Sequence, residues 1–280
     1  MKRFAVINAD DFGISEDVNR AIARAFDRGI LTSTSLMVTG DACAEAVELA
    51  KIRPKLAVGL HLVLCCGKSA LPASEIPDLV DRDGNFPEDP TVAGLRYQFS
   101  RAARSQLKRE IKAQLEKFQQ TGLKLSHLDG HLHLHCHPVI LAIISELAEN
   151  FAIEFVRLPQ EELNLNLSFD RADLSTKLIR SFIFDRLRQV GENIFTKKQI
   201  GFADRVYGLL QTGQISEDYL LHLIGNIKKV NLIEIYAHPD LKGTGKQELA
   251  ALTSKRVREC LSFHNFELTN YNELRMANLK

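Results

Sequence analysis

The chain has 280 residues, within the range of a one-domain α/β barrel, and its 45% hydrophobic and 25% charged residues are those of an ordinary globular protein. Thirty-six Lys and Arg against 35 Asp and Glu leave a net charge of +1, so no charge argument favours nucleic acid, an anionic membrane or a polyanionic substrate. Five cysteines (Cys43, Cys65, Cys66, Cys136, Cys260) form no CxxC pair and leave an odd count, which fits reduced thiols and a cytoplasmic location.

The first apolar run, RFAVINA from Arg3 to Ala9, is too short for a signal peptide or a membrane span and reads as a buried strand. EDVNRAIARAFDRG follows as an amphipathic helix, with Ser15 as its N-cap and Gly29 as its C-cap. Thr32 to Val38 is strand-like, Asp41 to Lys51 helical, and Leu56 to Leu62 the next strand. Cys65 to Pro90 is rich in Pro, Gly and Asp without periodicity, the composition of a lid or binding loop. Arg101 to Gln120 is a long amphipathic helix, LSHLDGH a strand, and Pro138 opens a helix running to about Glu149. IEFVRL is a further strand and Gln160 to Asp170 a second irregular stretch. The helical segment LSTKLIRSFIFDRLRQ carries Leu174, Leu178, Ile179, Phe182, Ile183 and Leu187 as an apolar stripe, expected to be core or a dimer contact. LIEIYAH and FELTNY are the late strands. Strand then helix, repeated, predicts a parallel α/β fold, an irregular TIM-like (β/α) barrel in a single domain over residues 1–280. Long loop insertions are expected near 65–100 and 160–215. No GxGxxG follows the first strand, which argues against a dinucleotide fold.

Chemistry gathers at strand ends. Asp10 and Asp11, His61, Asp129 with His131, Arg157, and His238 all fall at the C-terminal ends of predicted strands, the edge where barrels build sites. At a strand's end both members of Asp10-Asp11 can reach the site, one as metal ligand and one as base; a pair capping the following helix is the other reading. In the tract HLDGHLHLHCHP, an extended chain puts Asp129, His131, His133, His135 and His137 on one face. Imidazole suits zinc and carboxylate suits magnesium, and histidines not bound to the ion would orient ligands or contact substrate. Cys136 then lies on the opposite face and is expected to be a buried thiol. His238, before Pro239, could act as a general acid near neutral pH or simply begin a turn.

These residues together resemble the YdjC-like family of carbohydrate deacetylases: NADDFG (Asn8 to Gly13), TSTSLMV (Thr32 to Val38), VGLHL (Val58 to Leu62), HLDGHLHLH (His127 to His135), the R-x-P of Arg157 to Pro159, and HPD (His238 to Asp240). The motifs span most of the chain in order. The resemblance implies a TIM-like barrel, one divalent metal ion (Mg²⁺ or Zn²⁺), a homodimer, and hydrolysis of the N-acetyl group of an acetylated amino sugar. It assigns the metal to Asp11, His61 and His131, the base to Asp10 and the acid to His238. Arg157 would orient Asp10 or hold substrate, and Asp129, His133 and His135 would support the ligands or touch the sugar. ALPASEIPDLVDRDGNF and the later GLRYQF look most like the branch associated with hopanoid biosynthesis, which implies a lipid-linked sugar without membrane insertion. Three rivals remain at this point. A metal-dependent phosphoesterase needs more ligands and a basic pocket, a metal-buffering protein leaves Asp10, Arg157 and His238 unexplained, and a glycosidase needs two carboxylates and no metal.

Overall fold

A computed structural model describes residues 3–228 and 230–276, so Met1 and Lys2 before the first apolar run lie outside it. The strands are β1 (Arg3–Phe12), β2 (Ser33–Leu36), β3 (Ala57–Leu62), β4 (Leu125–Gly130), β5 (Arg205–Tyr207), β6 (Leu232–Ala237) and β7 (Phe266–Thr269). The helices are α1 (Glu16–Arg28), α2 (Cys43–Lys51), α3 (Pro90–Phe99), α4 (Arg101–Gln120), α5 (Pro138–Phe151), α6 (Leu163–Phe169), α7 (Leu174–Lys198), α8 (Glu217–Asn226), α9 (Gly245–Leu252), α10 (Lys255–Phe263) and α11 (Tyr271–Met276).

The strands pair in parallel in the order β4-β3-β2-β1-β6-β5, with β7 also on β1. One edge of β1 carries β6 over Phe4 to Ala9, so β7 (against Arg3 to Val6) and β2 (against Asn8 to Phe12) must share the other edge. Beyond β4 the sheet continues only through single bridges, Leu128 to Val156 and Phe155 to Gly201. The result is a curled parallel sheet, an irregular TIM-like half-barrel in one α/β domain, as the strand-helix alternation predicts.

Alternation along the strands sorts the residues by face. Ile7 and Ala9, Leu36, Leu60 and Leu62, Leu128, and Ile233 and Ile235 join the main apolar core with the helices. The other face of the sheet carries Asn8 and Asp10, Ser35, Gly59 and His61, His127 and Asp129, and Glu234 and Tyr236. These polar groups are buried, so the fold must satisfy them within itself.

The expected caps of α1 are present: Ser15 accepts from the Val18 N–H and the Gly29 N–H donates to the Ala25 carbonyl. Several expectations need correction. His131 to Cys136 is not extended but a 3₁₀ turn, with Leu132 at φ 51° and His133 at φ 56°. The histidines therefore do not share a face. IEFVRL makes only isolated bridges, because its partner segment at Gly201 is not a strand. Gln160 to Asp170 contains α6, and the 65–100 insertion ends in α3, whose first turn Asp89 caps. The apolar stripe of α7 is not core. Leu174, Leu178, Ile179, Phe182 and Ile183 are exposed, while the helix packs through Lys177, Arg188, Gly191 and Phe195. Cys136 is buried, as expected.

Gly59 is the close-approach point of β3 and β4, since a Cβ there would lie 2.4 Å from Cε1 of the buried His127 ring. That ring is pinned by Ser35 and Ser126 and has nowhere to move. Gly59→Ala should destabilise the protein by about 1–3 kcal/mol, the usual cost of overpacking. A lower urea midpoint at unchanged slope would record it; an unchanged midpoint would show that His127 can give way.

Candidate active site

The site begins with a defect in β1. The β1–β2 register shifts between Ala9 and Phe12, and Asp11 sits at φ 65°, a conformation that is costly for a residue with a Cβ. The bulge turns Asp11 to the same side as Asp10 instead of the opposite face.

Asp11 Oδ1 lies 3.0 Å from His131 Nδ1 and 3.3 Å from His61 Nε2. His61 comes from the end of β3 and is the register partner of Asp129 on β4. Its Nδ1 donates to Asp129 Oδ1 at 2.7 Å, leaving Nε2 aimed at Asp11. A histidine held by a carboxylate at one nitrogen and presenting the other is the usual support of a metal ligand. Donor atoms of Asp11, His61 and His131 all lie within 4.8 Å of one another. One carboxylate and two imidazoles converging in this way fit a divalent ion. Burial raises the Asp11 carboxyl, but hydrogen bonds from His131 and His61 outweigh it and hold it well below the usual range. For His61, burial favours the neutral ring, yet Asp129 and Asp11 together push its pKa up to about 10. Cation uptake at Nε2 therefore requires a proton to leave.

Asp10 lies beside that trio, with an oxygen within 4.8 Å of a His61 ring nitrogen, but its carboxylate is engaged by other partners. Its two oxygens accept from the two terminal nitrogens of Arg157 at 2.7 and 2.8 Å, and Asn8 adds a third donor at 2.9 Å. Arg157 is fully buried and also donates to Glu234 Oε1 at 2.6 Å and pairs with Asp129 Oδ2 at 2.8 Å. Its guanidinium lies 4.6 Å from the Tyr236 ring centroid. Burial alone would lower the Arg157 pKa, but Asp10, Asp129 and Glu234 drive it well above its ordinary value. Burial raises the Glu234 carboxyl, against the pull of Arg157 and the Tyr271 hydroxyl. Three carboxylates thus surround one guanidinium, leaving a net negative charge that a divalent cation nearby would offset.

His238 follows β6 directly, with Nε2 3.9 Å from Asp10 Oδ2 and Nδ1 4.0 Å from Glu248 Oε2. Burial pushes the Glu248 carboxyl up, opposed by His238. A cavity of about 240 Å³ opens over Asp10, His61, His131 and His238, walled by Leu132 and Phe184. A second of about 450 Å³ lies on the other flank of Asp10 and His238, toward Ile14 and Thr244.

The remaining histidines diverge. His133 lines the smaller cavity and bonds the Tyr236 hydroxyl at 2.7 Å. His135 lies behind it, bonding the Arg157 carbonyl at 2.9 Å, and burial lowers its pKa to about 4. His137 caps α5. The structure thus gathers Asp10, Asp11, His61, Asp129, His131, Arg157 and His238, and leaves His135 outside the cavity. Sequence reasoning missed Ser35, Glu234 and Glu248. Ser35 donates to Asp129 at 2.6 Å and sits in the quoted TSTSLMV motif. Glu234 was detectable as a lone charge within the apolar LIEIYA strand. Glu248 carried no signal.

The profile described as "YdjC-like protein" matches residues 5–262. A carbohydrate deacetylase of Brevibacillus brevis is 32% identical over 280 residues, covering 96% of this chain and 98% of that protein. One from Geobacillus stearothermophilus is 40% identical over 154 residues, 55% of this chain and 59% of that protein. Among solved structures, a candidate cellobiose-phosphate cleavage protein of Enterococcus faecalis V583 superposes with a TM-score of 0.78 at 25% identity, covering 98% of this chain and 99% of that one.

Replacing Asp129 by Asn should weaken divalent-metal binding by about 10- to 100-fold, the usual effect of removing a ligand's support. His61→Ala or His131→Ala should abolish measurable binding in calorimetric titration with Zn²⁺. Full occupancy in either histidine variant would remove that residue from the ligand set.

Proposed function

The chain belongs to the YdjC-like family, and on that premise we propose that it is a metal-dependent carbohydrate deacetylase, hydrolysing the N-acetyl amide of an amino sugar. The observation carrying this reading is a carboxylate, Asp10, clamped through both oxygens by buried Arg157 beside three converging metal donors. Asp11, His61 and His131 would hold a divalent ion, which would polarise the acetyl carbonyl and make a nearby water more acidic. Asp10 takes the proton of the attacking water. Arg157 fixes that carboxylate's orientation and acts through it. His238, partly exposed beyond Asp10, gives a proton to the nitrogen as the amine leaves. Asp129 steadies His61, and His133 with Tyr236 stiffens the cavity wall against which the sugar lies. His135 braces the Arg157 backbone from behind.

Two imidazoles with one carboxylate suit Zn²⁺ best, with Mg²⁺ second. The exposed Leu178, Ile179, Phe182 and Ile183 of α7 favour a homodimer built on that face. The ALPASEIPDLVDRDGNF segment favours a lipid-linked, hopanoid-type aglycone. Among the described residues no helix is long and apolar enough to cross a membrane. Five free thiols favour the cytoplasm.

A two-metal phosphoesterase is the weaker reading. The other possible donor group among the described residues, Asp10 with His61 and Asp129, shares His61 with the first, and both its carboxylates are bound to Arg157.

Chelator-treated protein should release no acetate from N-acetylglucosamine compounds, and added Zn²⁺ or Mg²⁺ should restore release. Asp10→Asn should lower kcat by about 10²- to 10⁴-fold, the range for a positioned base, with metal still bound. Metal uptake with no acetate from free, oligomeric or lipid-linked substrates would overturn the assignment.

A further inference from the structure

His238 lies between two carboxylates, one on each ring nitrogen: Asp10 at 3.9 Å from Nε2 and Glu248 at 4.0 Å from Nδ1. The two differ in kind. Asp10 belongs to the reacting centre, whereas Glu248 is fully buried on α9 and looks at His238 from behind. The same Glu248 oxygen accepts the backbone N–H of His238, and its other oxygen accepts the Ile215 N–H at 3.2 Å. Glu248 therefore holds the main chain of His238 by a hydrogen bond and faces its ring at Nδ1 from 4.0 Å. Its approach depends on Gly245, one turn earlier, where a Cβ would lie 2.4 Å from Asp240 Cβ and 2.9 Å from the His238 carbonyl oxygen. The other groups facing the ring are Asp11 and the Tyr236 ring, whose centroid is 5.7 Å away.

We propose that Glu248 is the positioning residue of the proton donor: it orients His238 through Nδ1 so that Nε2 carries the proton delivered to the departing amine. The inference rests on the acid role given to His238 above. In that step the Nε2–H bond breaks as the C–N bond breaks. The C–N electron pair goes to nitrogen, which takes the proton, and the ring is left neutral, to be reloaded from solvent. Glu248 itself neither gains nor loses a proton. Burying a carboxylate has a cost, and a helix surface position there would need none; its two backbone donors offset part of that cost.

The test uses leaving groups. An amide needs its nitrogen protonated to leave, whereas p-nitrophenolate leaves without a proton. Glu248→Gln, assayed with an N-acetylglucosamine compound and with p-nitrophenyl acetate, should lose about 10- to 100-fold in kcat on the amide, less than the roughly 10²- to 10⁴-fold of the acid it positions. KM should stay unchanged, and the ester rate should stay within about twofold. His238→Ala, measured in parallel, should give the same split and a larger loss. If Glu248→Gln slows both substrates equally while His238→Ala splits them, Glu248 is structural and this inference alone fails. If neither variant splits them, the acid role of His238 fails, and this inference with it. Should Glu248→Gln not fold, Glu248→Asp, which keeps the charge one methylene shorter, is read by the same split.

Discussion

The structure turns on one buried cation. Arg157 has no exposure to water and is held by Asp10 from β1, Asp129 from β4 and Glu234 from β6. A guanidinium in that position is tolerable only when all its donors are met, and removing one partner of such a cluster typically costs about 3–5 kcal/mol. The three carboxylates come from three strands, so the pairing also fixes how those strands stand relative to one another. Once Arg157 has oriented Asp10 and Asp129, Asp129 fixes His61, and His61 with Asp11 and His131 forms the candidate cation site. The charge that remains after Arg157 is negative, and this is why the trio beside it suits a metal rather than a second arginine.

Much of this arrangement was legible in the sequence, for a physical reason. In a parallel sheet buried on both faces, a charged or histidyl side chain needs a partner, so polar residues closing apolar runs mark the site edge. Asp10, His61, Asp129, Arg157 and His238 were found that way. The His-rich tract misled because strict alternation has period two and matches an extended strand. Two left-handed residues, Leu132 and His133, break that period; histidine visits this conformation more readily than most residues, but leucine gives no such signal. Likewise, the α7 stripe has helical periodicity, but periodicity reports that a face is apolar, not what covers it. Its packed face is made by Gly191, Arg188 and Phe195, with Lys177 reaching Asp170, a pattern that looks like surface in the sequence. Glu248 was invisible because a glutamate in GKQELAAL is what any solvated helix would carry.

Three of the eight described non-glycine residues at positive φ lie at the site. Asp11, Leu132 and His133 all hold positive φ, and all three lie at the cavity or at the metal donors. Such conformations cost of order 1–3 kcal/mol each and persist only where surrounding contacts enforce them. For Asp11 the enforcing contacts are His61 and His131; for His133 the contact is Tyr236.

The bulge at Asp11 explains how two neighbouring aspartates acquire different work. In a regular strand Asp10 and Asp11 would point to opposite faces, and one would be lost in the helical layer. The register shift brings both to one side but not to one environment. Asp11 meets imidazole nitrogens, which can exchange a proton for a metal, so an ion bound there would be shared with it. Asp10 meets a guanidinium, which cannot give up its proton, so its charge is balanced without a metal bond. On the function proposed above, Asp11 would help hold the cation and Asp10, steadied by Arg157, would take the proton. A strand without the bulge could supply either carboxylate, but not both, and the chemistry needs the two within one cavity.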